Sequence, residues 1–171
     1  YYTFADCKKL TTINNLESVS DYGDSSESTF ASTALTEITI SAAGIKTFRN
    51  IKTLTTVNFV GVNVEILDYA FYGCPNLATI NGLERVVKIG DYAFQNDKKL
   101  TKVELASNIS ELGISVFQGC TGLTEVVFEC NLNISSRMFS GCTSLESVTI
   151  GDNVREIGSE AFKGCTSLKY I

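Results

Sequence analysis

Apolar positions along this chain recur on two scales at once. Over short stretches they alternate with polar ones, as in Val103-Glu104-Leu105 and Val148-Thr149-Ile150, the period-2 signature of a strand with one buried face. Over long stretches the whole block returns: Phe48, Phe71, Phe94, Phe117, Phe139 and Phe162 are separated by 23, 23, 23, 22 and 23 residues. A fixed period of that size marks a solenoid, in which each repeat is one supersecondary unit stacked on the next. Phe4 and Phe30 extend the series with spacings of 26 and 18, an insertion followed by a deletion in the same register. The spacing predicts a single solenoid over residues 1–171 with about eight coils.

The fullest copy of the block runs Leu100, Val103, Leu105, Asn108, Ile109, Leu112, Phe117, Cys120 and Leu123. Leu123-Val126-Phe128-Asn131-Leu132 and Leu145-Val148-Ile150-Asn153-Val154 follow its opening position by position. Each coil should contribute one short strand whose apolar pair points inward, and successive strands should stack as a parallel sheet. Where pairing stops, the side chains of Asn108, Asn131 and Asn153 can satisfy exposed backbone groups. Val62 and Arg85 hold that place in two other coils. The segments Ile89-Gly90-Asp91-Tyr92-Ala93-Phe94 and Ile157-Gly158-Ser159-Glu160-Ala161-Phe162 read as a turn and N-cap opening a one-turn helix. The expected architecture is therefore an α/β repeat solenoid with a parallel concave sheet and short helical or irregular convex segments, the phenylalanines filling the space between.

One coil cannot bury its own apolar face, so stability must come from neighbouring coils. The chain begins and stops in mid-coil, which predicts a fragment of a longer array. The inserted stretch from Ser20 to Ser28 and the shortened coil after it, with Ile38, Ile40 and Ile45, are expected to distort the stack locally.

Ile89 through Cys120 and Val154 through Cys165 resemble the treponemal, or BspA-like, leucine-rich repeat. The family's signature is similar to I-G-x-x-A-F-x-x-C-x-x-L, and Gly158, Ala161, Phe162, Cys165 and Leu168 reproduce it in spacing and type. The resemblance covers nearly the whole chain. It implies a leucine-rich-repeat right-handed superhelix belonging to a bacterial cell-surface or secreted protein, or to a protozoan surface relative, with repeats that mediate adhesion to host matrix proteins or other cells. The family often closes its strand with proline, where this chain has Gly151, Ala106 or Val60. No catalytic residue belongs to the family pattern, so none is carried over.

Composition narrows the chemistry. The chain has no histidine, which removes Ser–His and Cys–His nucleophile pairs and the usual zinc sites. Net charge is −5 with acidic and basic residues interspersed, so no basic run suits nucleic acid. No apolar stretch approaches the ~20 residues of a transmembrane helix. Of six cysteines, Cys7, Cys74, Cys120, Cys142 and Cys165 all stand three residues after a phenylalanine, which predicts buried free thiols rather than a disulfide framework. Cys130 lies off that register and reads equally as an exposed thiol or a buried turn residue. Asp21, Asp24 and Glu27 could gather around calcium but lack the ligand alternation and central glycine of an EF-hand loop, so a solvated acidic loop is expected, with no metal or other cofactor. Asn108 and Asn133 begin glycosylation sequons; Asn108 is better explained by backbone hydrogen bonding, and Asn133 would matter only in a eukaryotic host.

The outward strand positions form two columns. One holds Thr12, Glu37, Thr56, Thr79, Lys102, Glu125, Ser147 and Tyr170; the other holds Asn14, Thr39, Asn58, Asn81, Glu104, Val127 and Thr149. From these, Thr12, Thr56, Thr79, Lys102, Glu125, Asn58, Asn81 and Glu104 are the expected binding residues. The face is polar and nearly free of aromatic anchors, which predicts weak, avidity-dependent binding or none. Glu104 and Glu125 can approach across neighbouring strands, but a carboxylate pair on an open sheet lacks the burial that acid–base catalysis needs. The reading is a non-catalytic protein-binding or adhesion module, its partner a protein ligand such as a host extracellular-matrix or cell-surface protein. The alternative is a passive spacer that holds another domain away from the cell surface.

Overall fold

The computed structural model describes residues 4, 6–13, 29–30, 32–41 and 48–171. The phenylalanine series forms one continuous column. Phe4, Phe30, Phe48, Phe71, Phe94, Phe117, Phe139 and Phe162 stack in that order, with centroids 5.0 to 5.9 Å apart and planes within 11° of parallel. From Phe30 to Phe139 every ring in it is fully buried. Such offset stacking suits the ring quadrupole, and the spacing follows from a coil rise near the ~4.8 Å of paired strands.

Around this column the backbone runs along three faces. The first carries β1 (Thr12–Ile13), β2 (Glu37–Ile40), β3 (Thr56–Phe59) and β5 (Thr79–Asn81) as one parallel sheet, and β7 (Lys102–Leu105), β9 (Glu125–Phe128) and β10 (Ser147–Ile150) as another. The second carries β4 (Val64–Ile66), β6 (Val86–Ile89) and β8 (Glu111–Leu112), with a further bridge from Ile134 to Ile157. The inward pairs Ile38 and Ile40, Val57 and Phe59, Val103 and Leu105, and Val126 and Phe128 are all buried against the phenylalanine column. Ala70, Ala93 and Ala161 are buried where the coils pack closest. The strand register survives the irregular early coils, since β2 pairs β3 residue for residue from Glu37↔Thr56 to Ile40↔Phe59. The insertion itself, with Asp21, Asp24 and Glu27, lies outside the described residues, as do Asn14 and Ile45.

The third face corrects the expectation of helical convex segments. Among the described residues the only helix is a single 3-10 turn, Leu83–Arg85, so the molecule is a parallel β-solenoid rather than an α/β one. The residue two before each column phenylalanine from Phe71 to Phe162 has a left-handed backbone: Tyr69, Tyr92, Ser115, Arg137 and Glu160 have φ between 54° and 59°, which interrupts any right-handed helical run. The donors a helix would use internally go to the next coil instead. Phe71 N–H reaches Ala93 O at 2.8 Å, Phe94 N–H reaches Val116 O at 3.0 Å and Phe117 N–H reaches Met138 O at 2.9 Å. Asp91, read as an N-cap, serves the same purpose: its carboxylate accepts the Ile114 N–H at 2.8 Å, as Asp68 accepts that of Asp91 at 2.9 Å. All three faces are thus stitched along the stacking direction.

Of the asparagines after the strands, Asn108 meets expectation by donating to the Val86 carbonyl at 2.8 Å. Asn153 donates to Asn131 at 2.6 Å, so those two satisfy each other rather than the backbone. The amide that does cap backbone there is Asn133, whose side-chain oxygen accepts from the N–H groups of Arg155 and Glu156, each at 3.0 Å.

Candidate functional site

The strand face is continuous except at one place. Phe59, Leu105 and Phe128 occupy the second inward position of their strands, and the equivalent residue between Phe59 and Leu105 is Gly82. Gly82 leaves that rung without a side chain. Its φ of 83° turns the chain out of the strand, and a Cβ there would collide with the carbonyl of Phe59, so only glycine fits this bend. The chain then enters the 3-10 turn, where Leu83 folds inward to 7 % exposure and takes over part of the missing contact. As a result β5 ends at Asn81, and no pairing joins it to β7, although the phenylalanine column passes the same level with Phe71 and Phe94 only 5.2 Å apart. The coils part on the strand face alone.

The parting forms a cleft of about 520 Å³, within the range of ~300–1,000 Å³ typical of ligand pockets. Its floor is Ile80, Leu83 and Leu105; its rims carry Thr79 and Asn81 on one side and Lys102 and Glu104 on the other, with Glu84 and Glu129 beside them. Four of the eight expected binding residues therefore line one cavity. Glu125 is tied to it through Lys102, whose ammonium lies 2.9 Å from Glu104 and 3.1 Å from Glu125. These hydrogen bonds, the one to Glu104 first, raise the Lys102 pKa and keep the side chain cationic. Thr12, Thr56 and Asn58 lie on the unbroken half of the face; there Asn58 donates to Glu37 and Asn81 to Asn58, both at 2.7 Å. The carboxylates of Glu104 and Glu125 thus meet across a lysine in the open. Ile80, Glu84 and Glu129 were not anticipated as site residues; the available signal was the glycine at an otherwise large apolar position.

The expected burial of the cysteine register holds for Cys74, Cys120 and Cys142, but Cys165 is only half-buried and Cys7, at the irregular start of the stack, is exposed. Cys74, Cys120, Cys142 and Cys165 each donate the thiol to the carbonyl of a phenylalanine in the preceding coil, at 3.0 to 3.2 Å. All six cysteines are free. Burial pushes the Cys74 and Cys120 thiols well above their ordinary value and that of Cys142 up to about 12. Of the two readings left open for Cys130, the buried one holds: it is 1 % exposed and burial raises its pKa to about 12. The exposed thiol is Cys7. A protonated thiol is a poor nucleophile, so the buried row is structural.

Between Cys74 and Cys165 one coil breaks the row. Asp97 stands in the cysteine position between Cys74 and Cys120, fully buried. One of its oxygens accepts the Cys74 N–H at 2.8 Å, and the other has no partner. Burial raises its pKa well above the usual carboxylate range, and the Cys74 hydrogen bond only partly opposes this.

The sequence pattern of the BspA type leucine-rich repeat region matches the chain in six copies, over residues 1–59 and 42–169. The chain belongs to that family. No curated protein matches this BspA-type repeat chain. Its solenoid is similar to three solved bacterial structures. A leucine-rich repeat protein from Eubacterium ventriosum shares 17% identity at a TM-score of 0.64, covering 99% of this chain and 56% of that one. One from Bacteroides ovatus shares 24% at 0.57, covering 84% and 50%. The leucine-rich repeat protein of T. pallidum shares 22% at 0.52, covering 79% and 72%. The BspA-type chain spans about half the length of the first two. Among its described residues no helix is long and apolar enough to cross a membrane.

Proposed function

We propose that this BspA-type solenoid is a non-catalytic protein-binding or adhesion module of a secreted or cell-surface protein, about eight coils long, and that it engages a protein ligand of the extracellular matrix or of another cell through its strand face. The observation that carries this reading is the concentration of outward-facing polar side chains on one face, where Thr79, Asn81, Lys102 and Glu104 surround a cleft with an apolar floor. An array of stacked repeats presents such a surface over a long distance. The carboxylates there are exposed and the described buried thiols are held protonated, which favours binding over catalysis.

Retention of a panel of matrix proteins on the immobilised chain tests it. A variant with Thr12, Thr56, Thr79, Lys102 and Glu125 all changed to alanine should lose about tenfold or more in affinity, the loss of one or two modest hot spots. Equal retention by both proteins would reject a strand-face site, and no retention by either would leave a passive spacer as the better account.

A further inference from the structure

The two long walls of the cleft are strand edges whose backbone groups lack partners. In a parallel ladder successive residues of a strand turn their N–H and C=O groups to opposite neighbours. The carbonyls of Thr101, just before β7, and of Leu105 at its end accept from the β9 side, through Glu125 N–H at 3.4 Å and Glu129 N–H, just past β9, at 2.8 Å. Lys102 and Glu104 must therefore direct their backbone groups toward β5. On β5, Thr79 N–H donates to Thr55 O at 3.1 Å, which leaves the N–H and C=O of Ile80 directed toward β7. Among the described residues no hydrogen bond closes either set. An edge of this kind is a template for another strand.

We propose that the cleft receives a short extended polypeptide segment by strand addition, with basic side chains outward and an apolar side chain inward. This rests on the protein-binding reading and names its ligand class. The length follows from the walls: β5 has three residues and β7 has four. The side-chain pattern follows from the alternation of an added strand. Residues pointing in meet Ile80, Leu83 and Leu105, while those pointing out meet Glu84, Glu104 and Glu129; with Glu125 these carboxylates outnumber the two cations beside them, Lys102, shared between Glu104 and Glu125, and Arg85, 3.4 Å from Glu84. A basic–apolar–basic segment complements both layers and closes the open ladder on both sides.

The test is a titration of the nitrogen-15-labelled chain with capped pentapeptides, followed by amide chemical shifts. One peptide alternates lysine and valine, a second alternates glutamate and valine, and a third is the lysine–valine peptide methylated at its backbone nitrogens. The first should shift the amides of Ile80, Lys102 and Glu104. The other two should need about tenfold or more higher concentration, because one loses charge complementarity and the other the backbone donors. Changing both Glu84→Lys and Glu104→Lys, two exposed positions, should weaken the first peptide by a similar factor. Equal potency of the methylated peptide, shifts centred elsewhere, or no shift at all would overturn strand addition. A chain that retains matrix proteins yet ignores these peptides loses this inference and keeps the broader one; a chain that does neither loses both.

Discussion

Replacing Phe117 by alanine is expected to lower the unfolding free energy by about 3–5 kcal/mol, the usual result of emptying a fully buried aromatic site. Phe117 is completely buried and stacks on Phe94 at 5.5 Å and on Phe139 at 5.8 Å. Its removal opens a gap in the core and also uncouples the coils on either side, because stability in such an array is close to a sum of nearest-neighbour terms. The control is Phe4→Ala: among the described residues that ring stacks only on Phe30, and it is 41 % exposed, so its loss should cost a small fraction of the interior value. Urea denaturation of both variants, with midpoint and slope compared to the parent, measures the difference. Equal destabilisation would mean that the column does not hold the solenoid together.

Asp97 carries the second large effect. Burial raises the pKa of its carboxyl well above the usual carboxylate range in the fold, whereas in the unfolded chain it ionises near the ordinary value of 3.8. The folded state therefore holds a proton that the unfolded state has released. The stabilising contribution is complete below that unfolded value and is lost as pH rises through the raised folded pKa. Asp97→Cys should abolish this slope and restore the row: the new thiol can donate to the Phe71 carbonyl as Cys120 does to Phe94, and Cys74 N–H can return to its own coil as Cys120 N–H does to Phe117 at 3.2 Å. At neutral pH the variant should gain about 1–3 kcal/mol, the penalty of a buried polar atom without a partner. Thermal midpoints of parent and variant between pH 4 and about 8 check this. A gap between them that stays constant with pH would show that the carboxyl does not titrate between the two states.

Much of this was legible from spacing. The phenylalanines, the inward strand pairs and the cysteine register repeat because each must meet its own copy one coil away, and a constraint of that kind is written directly as a period. The turns before the phenylalanines were misread for a local reason. Gly90-Asp91 before Ala93-Phe94 looks like a helix start, and the competing outcome, in which Asp91 and the Phe94 N–H bond to the next coil, depends on Ile114 and Val116, a full coil away in sequence. Cys130 was ambiguous because it stands outside the repeat and had no copy to compare with. The cleft was half visible: its rim residues stood out as members of outward columns, but the cause of the parting is an absent side chain at Gly82. A search for recurring large residues passes over a gap in their series.

Because the three backbone faces are bonded from coil to coil, tension applied to the two ends of the stack would load those bonds along their own direction, and the molecule would come apart as a series of separate ruptures. Each released coil would lengthen the chain by about 80 Å, at ~3.5 Å for each residue. At the level of Gly82 the strand face carries no such bonds, so the same glycine that shapes the cleft also lowers the resistance to that force there.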